Sequence, residues 1–513
     1  MFILPQIAPN TQINLHYNYL TYCIKIFILL LGGFMFDIAI IGGGVVGANI
    51  LCFCARRGVH AVLIEKNNDV ATGASKANSG IIHAGFDAKP GTLKAKLNVS
   101  GNKIMEKLCS ELDLPYKKIG ALVVGNDLEK LNELKDRGDA NGVHDLEIIK
   151  KTRLHELEPN LSPDYKYALY AKKSGIISPY MLTVALCEEA ILNGATVYRN
   201  FETKAIEKTS RSFKIISTSE TTVTAKYIVN CAGAGYNDIA KKLKSEIYPL
   251  TFRRGEYYLL DSSEYGIVNH TIFPLPTPES KGILVTPTID GNILVGPTSD
   301  LSDNNIPTTT ADGLNRIKAS VSTMVPNLNL KKSIRVFSGI RTISGEDFII
   351  EKSQKVKNAI NIAGICSPGL SSAPAIANLV LELTGYDKLP IKKFKKRKNI
   401  ISLKDKSKDE INALIKRDPD YGQIVCKCEM VSLAEIKQAL KSPLPAYSVD
   451  GVKRRVRAGM GRCQGGFCLL KVIETIAKTQ KVPMTNVPKE NIGSEILISE
   501  IRPKKVVKNG KKV

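Results

Sequence analysis

The sequence predicts an α/β protein in which a doubly wound, dinucleotide-binding domain is interrupted by an antiparallel α+β domain and followed by a small cysteine domain. A glycine-rich turn near residue 42 joins an apolar strand to a helix, strand-like runs alternate with turns between Tyr248 and Phe348, and two close pairs of cysteines lie near the C-terminus. With 513 residues the chain is too long for one hydrophobic core, so two or three domains are expected.

The first domain opens with a strand, a helix and a second strand. Residues 36–41 are an apolar run that ends in glycines, as a buried parallel strand does. Residues 45–57 predict a helix that is apolar on most faces, and residues 61–65 predict the second strand. Together they form a βαβ unit of the length that a Rossmann-type domain needs.

The turn of this unit carries a dinucleotide fingerprint. Residues 37–47 read DIAIIGGGVVG, so that Gly42, Gly44 and Gly47 form G-x-G-x-x-G. Gly42 allows the tight turn, Gly44 lets a pyrophosphate approach the backbone, and Gly47 lets the helix pack on the strand. Glu65 follows Gly42 by 23 residues, where a carboxylate binds ribose hydroxyls. The fingerprint predicts a dinucleotide without separating FAD from NAD.

The rest of the chain alternates between this domain and its insertion. Helices are predicted at residues 92–112, 179–193 and 373–383, and strands at residues 196–207, 213–218, 227–231, 282–287, 292–297 and 360–363. Residues 127–159 are polar and predict an excursion away from the sheet. The predicted dinucleotide domain comprises about 35–88, 172–247 and 345–390, the substrate domain about 89–171 and 248–344, and the cysteine domain 419–500.

The basic runs and the chain termini are predicted to lie outside the folded domains. The net charge is +23, and six of the seven residues 392–398 are basic. We interpret residues 391–418 as a solvated, flexible linker and 501–513 as a basic tail, although such runs also suit an anionic membrane surface. No helix-turn-helix, zinc-finger or RNP pattern supports nucleic-acid binding. Residues 1–34 lack a signal-peptide pattern and predict a dispensable leader, with a membrane-associating segment as the alternative.

Cysteine usage points to a reducing compartment with one metal or cluster site. Of the eleven cysteines, Cys426 and Cys428 form C-x-C, and Cys463 and Cys468 form C-x-x-x-x-C. Four thiolates in two tight pairs suit two sulfide-bridged irons, whereas zinc sites usually carry C-x-x-C spacing; zinc and metal-free structural cysteines stay as alternatives. Four arginines are expected to offset a cluster's negative charge: Arg454, Arg455, Arg457 and Arg462. The pattern of cysteines predicts a cytoplasmic protein; a location at the inner face of the cell membrane is the alternative.

Three later segments resemble the D-amino-acid oxidase superfamily of FAD-dependent oxidoreductases. They are residues 72–85 (TGASKANSGIIHAG), 230–235 (NCAGAG) and 364–377 (GICSPGLSSAPAIA). The resemblance implies an FAD cofactor: the first segment wraps its diphosphate and ring edge, the second closes the adenine side, and the third puts a helix N-terminus near the pyrimidine, where it stabilises negative charge. The cofactor-binding residues implied beyond the fingerprint are Ser75, Ser79, Gly80, Gly233, Gly364, Gly369 and Leu370.

Within that superfamily, residues 78–96 resemble both the anaerobic glycerol-3-phosphate dehydrogenases and the L-2-hydroxyglutarate dehydrogenases. Residues 422–478 resemble the bacterioferritin-associated-ferredoxin-like [2Fe–2S] domain of the former. The resemblance implies oxidation of glycerol 3-phosphate to dihydroxyacetone phosphate by hydride transfer to flavin N5, with electrons leaving through the [2Fe–2S] centre to a protein or a quinone. The alternatives are a 2-hydroxy acid such as L-2-hydroxyglutarate, a secondary-amine or amino-acid dehydrogenase subunit, and a non-catalytic redox-sensing or scaffold protein.

Four residues are candidates for the chemistry. His83 lies in the segment that resembles the one passing the flavin ring, so it is either the base that takes the hydroxyl proton or a loop histidine that binds flavin or backbone. Arg341 resembles the arginine that binds the substrate's anionic group, with a surface salt bridge as the alternative. Arg254 and Tyr257 resemble a strand beside the flavin face, where substrate contact and sheet packing are both open.

Overall fold

The computed structural model describes residues 35–276 and 282–499, so the predicted leader and basic tail lie outside the described residues. The described strands are β1 (Met35–Ile41), β2 (Ala61–Ile64), β3 (Ile81–Ile82), β4 (Ala121–Gly125), β5 (Leu146–Lys150), β6 (Tyr167–Ala171), β7 (Gly175–Ile176), β8 (Thr196–Tyr198), β9 (Thr203–Lys208), β10 (Phe213–Ser217), β11 (Thr222–Asn230), β12 (Thr251–Leu260), β13 (Thr271–Pro274), β14 (Leu284–Pro287), β15 (Ile293–Gly296), β16 (Asp300–Ser302), β17 (Ser333–Ile343), β18 (Ile349–Lys352), β19 (Ala359–Ala363), β20 (Ile424–Cys426) and β21 (Val431–Ser432).

The described helices pack on and between the sheets that these strands form. They are α1 (Val45–Arg56), α2 (Leu93–Glu111), α3 (Leu128–Ala140), α4 (Lys151–Leu157), α5 (Pro179–Leu192), α6 (Tyr236–Leu243), α7 (Ala311–Met324), α8 (Gly369–Thr384), α9 (Lys408–Arg417), α10 (Leu433–Lys441), α11 (Val449–Val456) and α12 (Leu469–Gln480). Within residues 35–276 and 282–499, none of the helices combines the length and the apolar character that crossing a membrane requires.

The first sheet confirms the predicted doubly wound domain. Its strand order is β18-β19-β11-β1-β2-β8, with β10 and β9 added beside β11. The pairs from β19 to β8 are parallel, as expected for βαβ crossovers, and β18 is antiparallel. One face is covered by apolar residues of α1, α2, α5 and α8, and the other by a smaller cluster that includes Ile239 and Leu243 of α6. Both faces are therefore buried, which explains the almost continuous apolar run of β1.

The second sheet forms the inserted domain. Its order is β16-β12-β15-β14-β13-β4-β6-β5, with β17 on the free side of β12. The sheet is antiparallel as predicted, except that β4 and β13 run parallel. Helix α7 packs on it through Ile317, Val321 and Met324. The long β12–β17 pair carries the substrate-side residues described below.

The polar excursion predicted at 127–159 contains α3, β5 and α4, and β5 joins the second sheet, that of the inserted domain. One local prediction differs from the structure. The helix predicted to begin at residue 373 begins at Gly369, with Pro374 inside it. Pro374 lies in the second turn, where its missing N–H removes only one helical hydrogen bond, so it does not mark the helix start.

The C-terminal part has a core of its own, made by α10, α11 and α12 around Ile436, Val452 and Ile476. The segment that precedes it exposes the lysines of its basic run, as its charge predicts, but it is anchored at one residue. Arg397 is only 6% exposed, and its guanidinium binds the Glu188 carboxylate at 2.8 Å and the Leu112 carbonyl. The prediction misses this anchor because a basic run is interpreted as solvated unless the buried partner of one of its residues is known.

A buried ion cluster fastens the C-terminal domain to the dinucleotide domain. The carboxylate of Asp69, in the loop after β2, is bound by both terminal nitrogens of Arg455 at 2.7 and 3.1 Å and by Arg454 at 3.1 Å. Arg199 lies 3.8 Å away and donates to the Pro445 carbonyl. Burial alone raises the pKa of Asp69, but Arg455, Arg454 and Arg199 together hold it well below its usual range.

Asp69→Asn is expected to lower the free energy of unfolding at pH 7 by about 3–5 kcal/mol, since it leaves buried guanidiniums without their counter-charge. The pKa of Asp69 is lower in the folded chain than the roughly 3.9 of an unfolded chain, so the stabilisation is complete above that pH and is lost as the pH falls below it. Urea denaturation at pH 7 and at lower pH is expected to show a gap between the two proteins that narrows only in acid.

The matched control is Asp300→Asn, since Asp300 pairs with Arg316 at 2.7 Å on the surface. An exposed pair contributes about 0–1 kcal/mol, so this variant is expected to unfold almost as the wild type does. Equal losses in the two variants would contradict the assignment of Asp69 as the ionic link between the domains.

Candidate active site and cysteine centre

A cavity of about 1180 Å³ lies between the two sheets, larger than the roughly 300–1,000 Å³ that houses a drug-sized ligand. It is lined by Gly42 and Glu65 at one end and by His83, Tyr257 and Arg341 at the other. The four segments singled out in the sequence all reach it. Its volume and its residues therefore suit a dinucleotide with a small substrate at one end.

The fingerprint glycines each meet a different steric limit. Gly42 has a φ of +120°, and a Cβ on it would lie 2.6 Å from the Cys231 carbonyl oxygen. A Cβ on Gly47 would lie 2.1 Å from the Gly42 oxygen, inside the helix–strand contact. On Gly44, by contrast, only the Ser75 hydroxyl comes within 4 Å, at 3.2 Å. The space in front of Gly44 therefore belongs to the cavity, as close approach of a pyrophosphate requires.

The N-terminus of α1 opens on this space. Ser75 accepts a hydrogen bond from the Val45 N–H at 2.9 Å, so the residue predicted to bind the cofactor also caps the helix that faces it. The first-turn N–H groups of a helix attract anions through their partial positive charge. This end of the cavity is built for phosphates.

Glu65 closes the cavity's nucleoside end. Its carboxylate accepts hydrogen bonds from the Gly43 N–H at 2.8 Å and from the N–H and side-chain amide of Asn67, both at 2.9 Å. Burial raises the pKa of Glu65, and the bonds from Asn67 and Gly43 oppose that rise. Asn67, which the sequence did not single out, fixes the carboxylate that the fingerprint predicts.

The segment 72–85 runs along the middle of the cavity. Ser79 lines it, whereas Gly80 lies behind the lining, with a φ of +67° and with no room for a Cβ against the Ile177 carbonyl oxygen at 2.5 Å. A Cβ on Gly339 of β17 would lie 2.1 Å from the Ala77 oxygen, so β17 presses directly on this segment. Gly80 thus serves close packing rather than direct contact.

The remaining two segments line the same cavity. Gly233 has a φ of +58° and open space beside it, and Gly364, with a φ of +65°, turns the chain toward α8. Gly369 and Leu370 form the first turn of α8 and line the cavity as well. The structure thus brings the N-terminus of a second helix to the cavity, as the resemblance implies.

Two arginines meet on adjacent strands at the substrate end. Arg253 of β12 and Arg341 of β17 stand directly opposite each other and both line the cavity. Arg253 donates to the Ser299 carbonyl at 3.1 Å and Arg341 to the Thr298 carbonyl. Within the described part of the chain neither guanidinium forms an ion pair with a carboxylate. Two like charges facing each other are unfavourable in a sheet, so the pair favours an anionic ligand.

Arg254 is not brought to this site. Side chains alternate along β12, so Arg253 and Tyr257 share the cavity face and Arg254 lies on the other one. There it pairs with the fully buried Glu256 at 2.9 Å and donates to Thr308. The sequence named the wrong member of the Arg253–Arg254 pair, and the spacing of four residues between Arg253 and Tyr257 is the signal that distinguishes them.

Tyr257 and His83 complete the substrate end. Tyr257 stacks on Phe337 with ring centroids 4.9 Å apart, and its hydroxyl lies 3.4 Å from the Ser79 hydroxyl. Burial raises the pKa of Tyr257, although Arg341 opposes this, so the phenol stays protonated at neutral pH. The backbone N–H of His83 donates to the Ser371 hydroxyl of α8 at 2.8 Å, and the centroid of the His83 ring lies 5.9 Å from that of the Phe273 ring. His83 is therefore held between α8 and the cavity.

The four C-terminal cysteines form two pairs, and each pair combines one cysteine of the C-x-C motif with one of the C-x-x-x-x-C motif. The sulfurs of Cys428 and Cys463 are 3.6 Å apart, and Cys426 is hydrogen-bonded to Cys468, which lowers the pKa of Cys426. Backbone N–H groups of Phe467 and Gly465 point at Cys463 and lower its pKa. Among the described residues, no three His, Cys, Asp or Glu side chains surround a point that would hold a single ion. Two thiolate pairs with N–H donors fit two irons.

The arginines near these cysteines do not act as the sequence suggests. Arg454 and Arg455 bind Asp69, as described above. Arg457 binds Asp290 and Glu429, both at 2.7 Å, and Arg462 binds Asp261 at 3.0 Å. The structure therefore corrects their expected role: their charge is used to dock the domain, not left to offset a cluster.

Comparison with known proteins agrees with this geometry. Residues 37–383 match the model of the family described as FAD dependent oxidoreductase, and residues 424–478 match the BFD-like [2Fe-2S] binding domain. The chain is 45% identical over 478 residues to a glycerol 3-phosphate dehydrogenase from Caloramator mitchellensis, which covers 90% of this chain and 98% of that protein.

Two further relatives are similar over about two thirds of the chain. A glycerol 3-phosphate oxidase from Mycoplasma genitalium is 35% identical, over 68% of this chain and 94% of that protein. The FAD-bound structure of L-alpha-glycerophosphate oxidase from Mycoplasma pneumoniae is 30% identical and superposes with a TM-score of 0.65, over 71% of this chain and 97% of that one.

Proposed function

Because this chain belongs to the FAD dependent oxidoreductase family, we propose that it oxidises glycerol 3-phosphate to dihydroxyacetone phosphate. The chain is an FAD-dependent oxidoreductase with a C-terminal [2Fe–2S] domain, and FAD and a [2Fe–2S] cluster are its cofactors. The identity of its substrate is the proposal. It is supported by the similarity to a glycerol 3-phosphate dehydrogenase over most of both chains.

The observation that carries the proposal is the Arg253–Arg341 pair. Both guanidiniums line the cavity and are held by carbonyl oxygens of adjacent residues, Thr298 and Ser299. Each guanidinium offers a planar fork of donors that matches phosphate oxygens bidentately. An anionic substrate relieves the repulsion between the two cations, which a neutral substrate does not. The fork also matches a carboxylate, so the choice of phosphate is supported by the similarity to a glycerol 3-phosphate dehydrogenase.

The residues of the cavity fit FAD. The open space before Gly44, the α1 N-terminus and Glu65 suit the adenosine diphosphate half, and the α8 N-terminus suits the flavin half. When bound, FAD supplies the two-electron oxidant that accepts hydride from the carbon bearing the hydroxyl. The protein's own part is to bind the phosphate, orient that carbon and take up a proton.

His83 is the residue that we assign to the proton. A base must be unprotonated at neutral pH to accept the hydroxyl proton, and a neutral imidazole meets that condition. Tyr257 does not, because burial keeps its phenol protonated; it serves as a hydrogen-bond donor to the substrate or to Ser79. Loss of the proton from the hydroxyl oxygen and of a hydride from the carbon that bears this hydroxyl leaves the ketone.

The electrons then pass to the [2Fe–2S] domain and on to an acceptor protein or a quinone. This route is supported by the buried ionic link between the domains, which keeps the cysteine domain against the flavin domain. Peripheral association with the membrane and a cytoplasmic location belong to the same proposal.

Arg341→Lys and Arg253→Lys are each expected to raise the KM for glycerol 3-phosphate by about 10- to 100-fold, since hydrogen bonds between charged groups contribute about 1.5–3 kcal/mol. FAD content is expected to stay unchanged. Steady-state turnover with a dye acceptor under anoxic conditions measures the effect. Arg254→Lys is the matched control, because Arg254 lies on the opposite face of β12, and its KM is expected to be that of the wild type.

The same assay separates the substrates. Wild-type turnover with L-2-hydroxyglutarate or proline but not with glycerol 3-phosphate would reject the proposal. An unchanged KM in both arginine variants would return Arg253 and Arg341 to a structural role.

His83→Gln is expected to slow flavin bleaching by glycerol 3-phosphate by roughly 10²- to 10⁴-fold, the usual contribution of a general base. Stopped-flow absorbance measures the rate of bleaching. His155→Gln is the control, because His155 lies in α4, binds the Tyr165 carbonyl and does not line the cavity. Bleaching at the wild-type rate in His83→Gln would assign the proton to another group.

A further inference from the structure

One hydrogen bond joins a tyrosine of the flavin domain to a methionine beside the cysteine motif, next to the charged side chains of Arg457 and Asp290. The hydroxyl of Tyr180, the second residue of α5, donates to the sulfur of Met460 at 3.6 Å. Met460 precedes Cys463 by three residues. Both side chains are partly buried. The contact therefore lies between the cavity and the cysteine centre.

On the flavin side, Tyr180 is tied directly to the cavity wall. Ser79 and Ile81 line the cavity, and the Ile177 N–H donates to the carbonyl of Gly80, between them, at 2.9 Å. Strand β3 also pairs with β7, which leads into α5. Only the short segment from Ile177 to Tyr180 separates this part of the cavity wall from the Tyr180–Met460 hydrogen bond.

On the cluster side, Met460 is fixed by the turn that carries Cys463. Its N–H donates to the Arg457 carbonyl at 2.9 Å, and its own carbonyl accepts from the Gln464 side chain at 3.0 Å. Arg457 is in turn held by Asp290 and Glu429. The methionine sulfur is thus presented to Tyr180 by a rigid part of the cysteine domain.

We propose that the Tyr180–Met460 contact is the path by which electrons cross from the flavin to the [2Fe–2S] cluster. Electron tunnelling weakens less along covalent and hydrogen bonds than across gaps between non-bonded atoms. From Ser79, which lines the cavity, the route follows the chain to Gly80, a hydrogen bond to Ile177, the chain to Tyr180, a hydrogen bond to Met460 and the chain to Cys463. Burial raises the pKa of Tyr180, so its phenol keeps the proton that it donates to sulfur.

The electron balance is simple. Oxidation of one alcohol to a ketone releases two electrons and two protons, and a [2Fe–2S] centre carries one electron at a time, so each turnover crosses the contact twice. Tyr180 and Met460 are not oxidised. The protons leave to solvent, and two equivalents of a one-electron acceptor, ferricyanide in the laboratory, are reduced per alcohol. The inference rests on the proposed function only for the source of the electrons.

A competing path runs through the substrate domain. Phe337 stacks on Tyr257, and Arg335, two residues earlier on β17, lies 3.5 Å from the Gln464 side chain. This contact is exposed and depends on two long, flexible side chains. It is the rival that the experiment must exclude.

The test injects electrons without substrate. Flash photolysis of the holoenzyme with 5-deazariboflavin delivers single electrons, and their redistribution between flavin and cluster is followed by absorbance and by rapid-freeze EPR. Tyr180→Leu is expected to slow the redistribution by about tenfold or more, a change of ~1.4 kcal/mol or more in the barrier. Tyr180→Phe and Met460→Leu, which keep the shape, are expected to slow it several-fold, and the two together no more than either alone, because they remove one contact.

The controls separate this idea from its rivals and from the proposed function. Tyr421→Phe removes a comparable hydroxyl, bound to the Ile401 carbonyl at 3.2 Å inside the cysteine domain, and is expected to leave the rate unchanged. Hydrogen exchange over residues 454–462 is expected to match the wild type in Tyr180→Phe and Met460→Leu, which excludes undocking as the cause.

Wild-type redistribution in Tyr180→Phe, Tyr180→Leu and Met460→Leu would overturn the inference, and slowing in Arg335→Ala alone would move the path to the substrate domain. Failure of glycerol 3-phosphate to bleach the flavin would reject the proposed substrate, but it would leave the flash result intact.

Discussion

Gly44→Val is expected to give a folded protein that lacks FAD and all activity. Gly44 has φ −80° and ψ 177°, a conformation that valine adopts without strain. A Cβ at this position meets only the Ser75 hydroxyl within 4 Å, and the cavity before the α1 N-terminus is lined by Gly44 itself. The valine side chain therefore fills the place of the pyrophosphate rather than disturbing the fold. Flavin absorbance of the purified protein, with circular dichroism to check folding, measures the effect.

Three further variants test this result. Gly44→Ala adds a single methyl group and is expected to weaken FAD binding less, while Gly422→Ala, in the cysteine domain, is expected to leave it unchanged because its Cβ meets only ordinary contacts with Ile415. Gly47→Val is expected to fail at folding, since its Cβ would lie 2.1 Å from the Gly42 oxygen. Full FAD occupancy in Gly44→Val would mean that the pyrophosphate lies elsewhere.

Cys463→Ser is expected to abolish the iron–sulfur centre and with it turnover with the natural acceptor. Its sulfur lies 3.6 Å from that of Cys428, and a serine hydroxyl replaces one thiolate of that pair. The wild type, purified without oxygen, is expected to contain about two irons and two sulfides per chain and to show the EPR signal of a one-electron centre after dithionite. The variant is expected to lose that signal and to keep FAD.

The same variant separates the two halves of the reaction. Glycerol 3-phosphate is still expected to bleach the flavin, and a small dye that reaches the flavin directly is still expected to be reduced. Cys109→Ser serves as the control, because Cys109 is buried in α2 and far from the cysteine motifs in sequence, so iron content is expected to match the wild type. Stoichiometric zinc instead of iron after anoxic purification from iron-replete cells would leave the domain with a docking role only.

Local chemistry explains what the sequence predicts correctly. Gly42, Gly44 and Glu65 are set by the short-range geometry of one βαβ unit, so spacing and residue type are enough to bring them to one cavity. The third segment, beginning at Gly364, reaches the same cavity, and there resemblance rather than periodicity supplied the position. The fold class follows from the same local rules.

What the sequence misses depends on register and on distant partners. Choosing correctly between Arg253 and Arg254 requires the phase of β12, that is, which side chains of the strand face the cavity. Both residues are arginines, so residue type does not reveal it. The roles of Arg454 and Arg455 depend on Asp69, which lies 385 and 386 residues away along the chain. Neither pattern nor composition identifies such a pair, and the buried Arg397–Glu188 contact is hidden from sequence for the same reason.

The Asp69 cluster also bears on how this two-part architecture is inherited. A cysteine domain moved onto another flavoprotein by recombination would bring Arg454 and Arg455 into a site that offers no counter-charge unless an acid stands where Asp69 does. The three positions are thus expected to change together among related enzymes or not at all. The natural unit of exchange is therefore the cysteine domain together with the loop after β2, although these lie at opposite ends of the gene.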